Sequence, residues 1–202
     1  MMSLVYKDLM NLKQQGRIYI LIMGIWAVVA GMERNPAFLG GVLSVFSVLV
    51  AITAYAYDEK AGWDKYALTM PVGKKELVLS KYVLAVLMMA CSMVLFLGLN
   101  AVLRTPEKEL FDLTCIFLAL GLLAMDVILP LIFRFGVEKG RVIMILAFLI
   151  LSVIGLVGSE LSAPVLQILS SKLFNLFLVA AGILLLPVSV WISFAVYRRK
   201  EF

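Results

Sequence analysis

Residues 57–82, YDEKAGWDKYALTMPVGKKELVLSKY, are a polar stretch between two long apolar runs. The chain has 18 basic and 13 acidic residues, and nine of these charged residues lie within this stretch. It also holds one Trp, a Pro and three Tyr, two of which mark its ends. A connection of this length that is more than a flexible linker usually has a function. The apolar runs beside it predict the fold class, and residues 58–81, the central loop, carry the first functional hypothesis.

The composition is typical of a protein that crosses a membrane several times. Hydrophobic residues make up 63% of the 202 residues, against about 45–50% in a soluble domain. The mean hydropathy is +1.05. A membrane-spanning helix needs about 20 apolar residues. We predict an all-α membrane protein whose residues 1–202 form a single transmembrane domain with six spans, at residues 18–32, 37–57, 82–103, 113–133, 142–159 and 173–197.

The placement of the basic residues predicts the orientation. If the N-terminus is cytoplasmic, 14 of the 18 Lys and Arg residues lie in the inside segments and four lie outside. The positive-inside rule then favours both termini in the cytoplasm of a multi-pass cell-membrane protein. The net charge of +5 is scattered between apolar runs. Anionic lipid headgroups are therefore a better partner for it than nucleic acid.

Two segments outside the spans have helical features. Residues 1–16 place Met2, Val5, Leu9 and Leu12 at the spacing of an amphipathic helix that lies in the membrane interface, and a polar tail is the alternative. Residues 160–172 are apolar for an outside loop. They are predicted to form a re-entrant or interfacial segment, with a plain extracellular loop as the alternative.

Signatures of catalysis and of bound metal are missing from the sequence. It contains no His, and its two cysteines, Cys91 and Cys115, lie inside apolar runs. It also lacks the phosphate-binding pattern GxxxxGK[ST] and the nucleophile pattern GxSxG. We therefore expect no catalytic residue, no metal site, no cofactor in this chain and no enzyme activity of its own.

The central loop has a candidate binding face. Trp63, Tyr66, Ala67 and Met70 follow the spacing of one face of a two-turn helix, and Pro71 ends it. A second helix is predicted to start near Lys74 and continue into the third span. An aromatic face fits a groove on a partner protein. Trp and Tyr are equally typical of a membrane interface, so the residues alone leave both interpretations open.

Two polar residues inside the spans are candidates for a substrate path. Asp126 is the one acid well inside a predicted span, and Asn100 lies near the end of another. A central Asp costs about 2.5–3.5 kcal/mol to insert, and such residues usually face a helix-bundle interior or a water-filled path. A structural hydrogen-bonding role is the alternative for both.

Two stretches carry a family resemblance. The central loop, together with LPLIFRFGVEKGR at residues 129–141, resembles the short ABC-2 type transporter permeases of Gram-positive bacteria. The six-span layout and the N-terminal helix are similar as well, so the resemblance covers nearly the whole chain. Gly73 departs from the Ser or Thr often found after Pro-Val in that family, which leaves the start of the second loop helix without its usual cap.

The resemblance implies roles for the parts of this chain. Residues 1–16 would be an elbow helix, residues 160–172 an extracellular re-entrant segment, and the central loop a coupling helix that docks on a separate ATP-binding cassette subunit. That subunit would bind ATP and Mg, and a second permease chain, identical or paralogous, would complete a dimer. The docking residues would be Gly62, Trp63, Asp64, Lys65, Tyr66 and Met70.

Similar proteins export amphipathic peptides, among them phenol-soluble modulins and bacteriocin-like peptides, so the resemblance implies a peptide exporter. A second hypothesis is a membrane sensor or immunity subunit that binds a peptide or partner protein without transporting it. Stimulation of an associated ATPase by substrate separates the two, because only the exporter predicts it.

Overall fold

The computed structural model describes residues 2–33, 36–67, 69–70, 73–103, 106–158 and 171–199, and the regular elements in these ranges are all helices. This confirms the predicted all-α class. In chain order the helices are α1 (Met2–Glu33), α2 (Pro36–Lys60), α3 (Trp63–Ala67), α4 (Lys74–Leu103), α5 (Glu107–Phe135), α6 (Val137–Gly158) and α7 (Lys172–Arg198).

Four helices in the described ranges are long and apolar enough to cross a membrane: Leu39–Lys60, Lys74–Val102, Glu109–Phe135 and Lys172–Arg198. Helix α1 bends by 69° between Met2–Lys13 and Gly16–Met32, and it makes a fifth span if the bent pair is counted as one. Helices suit this environment because they satisfy their backbone hydrogen bonds internally. The structure thus supports a multi-pass protein with four or five spans, where the sequence predicted six.

The boundaries of the predicted segments differ from the helices in informative ways. The predicted N-terminal helix and first span are one continuous helix with a bend, because residues 14–17 stay helical. Helix α4 begins at Lys74, as predicted, and continues without a break to Leu103. The predicted fifth span corresponds to α6, except that Ser159 lies outside the described residues. Most of the predicted re-entrant segment, residues 160–170, also lies outside them.

The helices pack around one main apolar cluster. The most extensive pair is α5 with α7, followed by α2 with α4. The cluster takes residues from every helix, and fully buried members include Ile52, Met125 and Leu129. Edge-to-face ring contacts link α2, α5 and α7. The ring centres of Tyr55 and Phe133 lie 5.1 Å apart, and those of Phe133 and Tyr197 lie 5.7 Å apart. Helix α3 belongs to the same packed body, because Ala67 is a member of the cluster and Trp63 packs against it.

Close packing between α2 and α5 depends on a glycine. A Cβ placed on Gly40 would lie 2.2 Å from ring atoms of Phe117, a distance that real side chains do not show. Phe117 in turn packs edge-to-face on Phe96 of α4. The helices therefore approach here because Gly40 lacks a side chain, which is a common device in membrane helix packing.

The segments predicted to lie inside the cell meet at one end of the bundle. The N-terminal part of α1 and the C-terminal end of α2 are joined by a bond between Lys7 and Asp58. The start of α4 contacts the end of α7, where Lys74 donates to the backbone oxygen of Arg198. The same end of α2 contacts the start of α6. This shared end, which also holds α3, is called the loop end below.

Candidate functional site

Helix α3 is a single turn that tight backbone bonds hold at the loop end. The chain leaves α2 through Gly62, whose φ of 62° is a conformation that favours glycine. The backbone N–H of Gly62 donates a hydrogen bond to the backbone oxygen of Glu59 at 3.2 Å. After the helix, the amides of Thr69 and Met70 donate to oxygens three residues earlier, each at 3.1 Å. The predicted two-turn helix is therefore one α-helical turn followed by a tighter turn.

The aromatic–Met face predicted for this segment is divided between the protein interior and the surface. Ala67 is fully buried, and Trp63 is half-buried against the main cluster. Tyr66 and Met70 are exposed, at 58% and 37%. Gly62 and Lys65 are exposed as well. Asp64 lies in α3, and its side chain is outside the described part of the structure.

Trp63 connects α3 to α1. The Lys7 ammonium lies 4.3 Å from the centre of the Trp63 ring, within the range of a cation–π contact. On the other side, the Tyr66 ring lies 5.5 Å from the Trp63 ring at a 50° tilt. The exposed Tyr66 is therefore held by a tryptophan that is itself held by the bundle.

Four charged side chains form a closed ring just beneath α3. Lys7 bonds Asp58 at 2.6 Å and lies 3.2 Å from Asp8. Lys81 bonds Asp8 at 2.7 Å and Asp58 at 2.5 Å. The side chains of Asp8, Asp58 and Lys81 are at most 5% exposed, and that of Lys7 is 23% exposed. This charge ring, Lys7, Asp8, Asp58 and Lys81, joins α1, α2 and α4 with no net charge.

A second polar contact joins the central loop to residues 129–141. Glu59, at the end of α2, accepts a hydrogen bond at 3.0 Å from the backbone N–H of Val137, the first residue of α6. The first N–H groups of a helix have no partner within it, and a carboxylate there is favoured by the helix dipole. The two stretches that carry the family resemblance are thus in direct contact.

Gly136 makes the turn between α5 and α6 compatible with that contact. Its φ of 83° is one that L side chains rarely adopt. A Cβ here would also lie 2.9 Å from a carboxylate oxygen of Glu59. The glycine therefore serves both the backbone turn and the close approach of Glu59.

Replacing Gly136 with Ala is expected to destabilise the protein by about 1–3 kcal/mol, because the backbone would be strained and Glu59 displaced from α6. Thermal unfolding of the purified protein in detergent measures this. Gly24→Ala is the matched control, since a Cβ there meets nothing within 4 Å. Equal melting temperatures for Gly136→Ala and the parent protein would contradict this account of the turn.

Asp126 lies within a polar cluster between α4, α5 and α7. Its side chain is 7% exposed and has no hydrogen-bond partner among the described residues. Its backbone oxygen accepts from the Ser189 hydroxyl at 2.7 Å. Tyr82 shares hydrogen bonds with Ser189 at 2.6 Å and Ser193 at 2.8 Å. The polar groups around Asp126 are compatible with a structural contact between helices and equally with a path for cargo.

Asn100 is not part of the same cluster. It is 2% exposed, and its amide donates to the Phe96 oxygen at 2.8 Å. Tyr82 lies near Asp126 and precedes Asn100 by 18 residues on α4. Asn100 is therefore about 27 Å from Tyr82 along the helix axis. Asp126 and Asn100, the two residues predicted for a substrate path, therefore lie far apart along the helix axes.

The described part of the chain contains no candidate metal site and no disulfide. No group of three or more Cys, Asp or Glu side chains there is placed to hold a metal ion. Cys91 and Cys115 are free thiols. At the loop end, the exposed side chains of Tyr66 and Met70 lie above the buried charge ring.

The charge ring and the Glu59 contact were not predicted from the sequence. One signal was available for part of it: Asp58 and Lys81, of opposite charge, are the first and last residues of the central loop. The ends of a loop between neighbouring helices come close together, so a pair of this kind is expected to bond. The roles of Lys7, Asp8 and Gly136 depend on contacts between segments far apart in the chain, and no local pattern in the sequence indicates them.

Comparison with known proteins supplies the family. A family model described as ABC-2 family transporter protein matches residues 3–198, nearly the whole chain. Comparison with curated proteins and with solved structures gives no significant match. The match takes in all seven helices, including both stretches that meet at the loop end. The chain is therefore a member of the ABC-2 family of transporter proteins, a membrane component of transport.

Proposed function

We propose that this chain is the permease subunit of an ATP-binding cassette exporter, and that residues 62–70 dock on a separate subunit that hydrolyses ATP. The observation that carries the proposal is the arrangement of α3. Helix α3 presents Lys65 and Tyr66 outward, and Met70 is exposed in the turn after it, while Trp63 and Ala67 pack on the main cluster. ATP and Mg would be bound by the partner, because this sequence has no nucleotide-binding pattern.

The contacts beneath α3 support a role in transmitting force. A push on α3 reaches α1 through Trp63 and Lys7, and α2 and α4 through the charge ring. It reaches α6 through the bond between Glu59 and the Val137 amide. A packed interior transmits strain because it has low compressibility. Closure of the ATP-binding subunits would thus move several helices together.

The proposed arrangement has six spans with both termini in the cytoplasm. Helix α6 and the bent helix α1 supply the two spans beyond the four continuous ones. A second permease chain, identical or paralogous, would complete the transport path. The position of the basic residues supports this orientation, since Lys65, Lys74 and Arg198 all lie at the loop end.

We expect a cysteine at position 65, in a chain with Cys91 and Cys115 replaced by Ala, to be labelled by a membrane-impermeant maleimide only from the cytoplasmic side. Inside-out vesicles should react and intact cells should not. A cysteine at Pro106, exposed at the start of α5, is the matched control and should show the reverse. Labelling of position 65 in intact cells would contradict the orientation.

The cargo we propose is an amphipathic or antimicrobial-type peptide, with phenol-soluble modulins as one class. The support is the similarity of the central loop and residues 129–141 to exporters of such peptides. Asp126 lies inside the bundle with its carboxyl group free of hydrogen bonds to described residues, where a cationic peptide group would be attracted.

Copurification followed by an ATPase assay tests the proposed function. The chain, isolated from its native membrane in mild detergent, should bring along a protein that contains GxxxxGK[ST]. The complex should hydrolyse ATP faster when an amphipathic peptide is added. A complex that hydrolyses ATP without any response to such peptides would favour the non-transporting sensor or immunity subunit. An intact chain that carries no nucleotide-binding protein would contradict the docking role.

A further inference from the structure

A groove between α4 and α7 lies at the loop end, apart from the α3 surface. It has a volume of about 210 Å³ and is lined by Lys75, Val78, Leu79, Pro187, Val190, Trp191 and Phe194. Its α7 side runs from Pro187 to Phe194, about 10 Å along the helix. Six of its seven lining residues are apolar, and the seventh is a lysine.

The basic charge is concentrated at one end of this groove. The Lys75 ammonium lies 5.2 Å from the centre of the Phe194 ring. Lys74, next to it, donates to the backbone oxygen of Arg198 at 3.3 Å, which places it beside the end of α7. Arg198 and Arg199 are exposed there. Glu76 is the one acidic residue in the first turn of α4, and it is not part of the groove lining.

The groove is open at the surface of the helix bundle along its apolar length. Trp191 is 69% exposed, and Leu79 at the opposite wall is 36% exposed. Pro187 interrupts the hydrogen bonding of α7 at the far end of the groove. A tryptophan of this kind favours the region just below the lipid headgroups. The site thus combines a cationic entrance with an apolar slot beneath it.

We propose that this groove binds an anionic phospholipid, with the headgroup phosphate between Lys75 and the basic end of α7 and one acyl chain along Trp191 and Pro187. Basic pockets between membrane helices are a known form of anionic-lipid site, and each nearby Lys or Arg strengthens the attraction. A neutral phospholipid fits the slot equally well and gains less from the cations. The site therefore selects by headgroup charge.

Fluorescence quenching by brominated lipids tests this inference in the complete chain. Trp26→Phe and Trp63→Phe leave Trp191 as the one tryptophan, since the sequence has three. The protein is reconstituted in vesicles that mix phosphatidylglycerol with phosphatidylcholine, with one or the other brominated. We expect Trp191 to favour phosphatidylglycerol about fivefold. The assay contains no ATPase and no peptide, so its result is independent of the proposed export function. Either the lipid site or the export function can be disproved while the other stands.

Charge variants at the entrance complete the test. Lys75→Gln should lower the preference clearly below fivefold, because it removes the cation that lines the groove and leaves only those at the end of α7. Lys139→Gln removes an equal charge from an exposed site on α6 and should leave the fivefold preference intact. High salt should weaken the preference of the parent protein.

Three results would overturn the inference. The first is equal quenching of Trp191 by both lipids in the parent protein, a measurement that does not depend on any Lys75 variant. The second is an unchanged preference in a folded Lys75→Gln protein. The third is a Trp191 that neither lipid quenches, which would show that protein, such as a second copy of the chain, covers the groove.

Discussion

Replacing Lys81 with Met is expected to destabilise the protein by about 3–5 kcal/mol. Lys81 is the most buried cation of the charge ring and bonds both Asp8 and Asp58. Removing it leaves two buried carboxylates that share the single ammonium of Lys7. Breaking a buried ion pair from one side has a cost of this size, because the remaining charge loses its partner without regaining water.

Unfolding in detergent, followed by circular dichroism, measures the effect. Lys65→Met is the matched control, since it makes the same change at an exposed position of α3 and should alter stability by less than about 0.5 kcal/mol. The combined variant Lys7→Met, Asp8→Asn, Asp58→Asn and Lys81→Met should recover much of the loss, because no unpaired charge remains. A Lys81→Met protein as stable as its parent would show that the ring contributes little.

Truncating Tyr66 to Ala is expected to weaken binding of the ATP-hydrolysing subunit about 30-fold while leaving the permease fold intact. Tyr66 is the most exposed aromatic residue of the central loop, and its ring rests on Trp63. Aromatic anchors of this kind contribute about 2 kcal/mol or more at protein interfaces, which corresponds to a factor of about 30 in the dissociation constant. The substrate-stimulated ATPase rate should fall accordingly at limiting subunit concentration.

Two companion variants separate docking from folding. Phe111→Ala removes an exposed aromatic side chain at the opposite end of the bundle and should leave subunit binding unchanged. Trp63→Ala should lower both binding and melting temperature, because Trp63 also packs on the main cluster and on Lys7. Tyr66→Ala with normal affinity and normal ATPase stimulation would mean that the subunit docks elsewhere.

The sequence predicted the helices better than it predicted their partners. Hydropathy and Pro71 were enough to place the helix start at Lys74, because these are properties of neighbouring residues. The spacing of Trp63, Tyr66, Ala67 and Met70 predicts a single binding face. The structure divides that set, because the packing of α3 on α2 and on the main cluster decides which side is buried. The spacing of four residues along the chain does not contain that information.

The charged residues show the same limit more clearly. Lys7 and Asp8 look like ordinary polar residues of an amphipathic helix, and their importance arises from Asp58 and Lys81, which are 51 and 73 residues away. Glu59 is one of several charged residues in the central loop, and its carboxylate accepts a hydrogen bond from the start of α6, 78 residues away. Such pairings depend on the packing of the whole bundle, which a single sequence does not reveal.

Photocrosslinking from position 66 tests the central claim most directly. A benzophenone amino acid replaces Tyr66 in the full chain, and native membranes are irradiated, with position 111 as the control. The account predicts a crosslink from position 66, and none from position 111, to a protein whose sequence contains GxxxxGK[ST]. Crosslinks from position 66 to lipid alone, or equal yields of that protein from both positions, would contradict the assignment of α3 as the docking element.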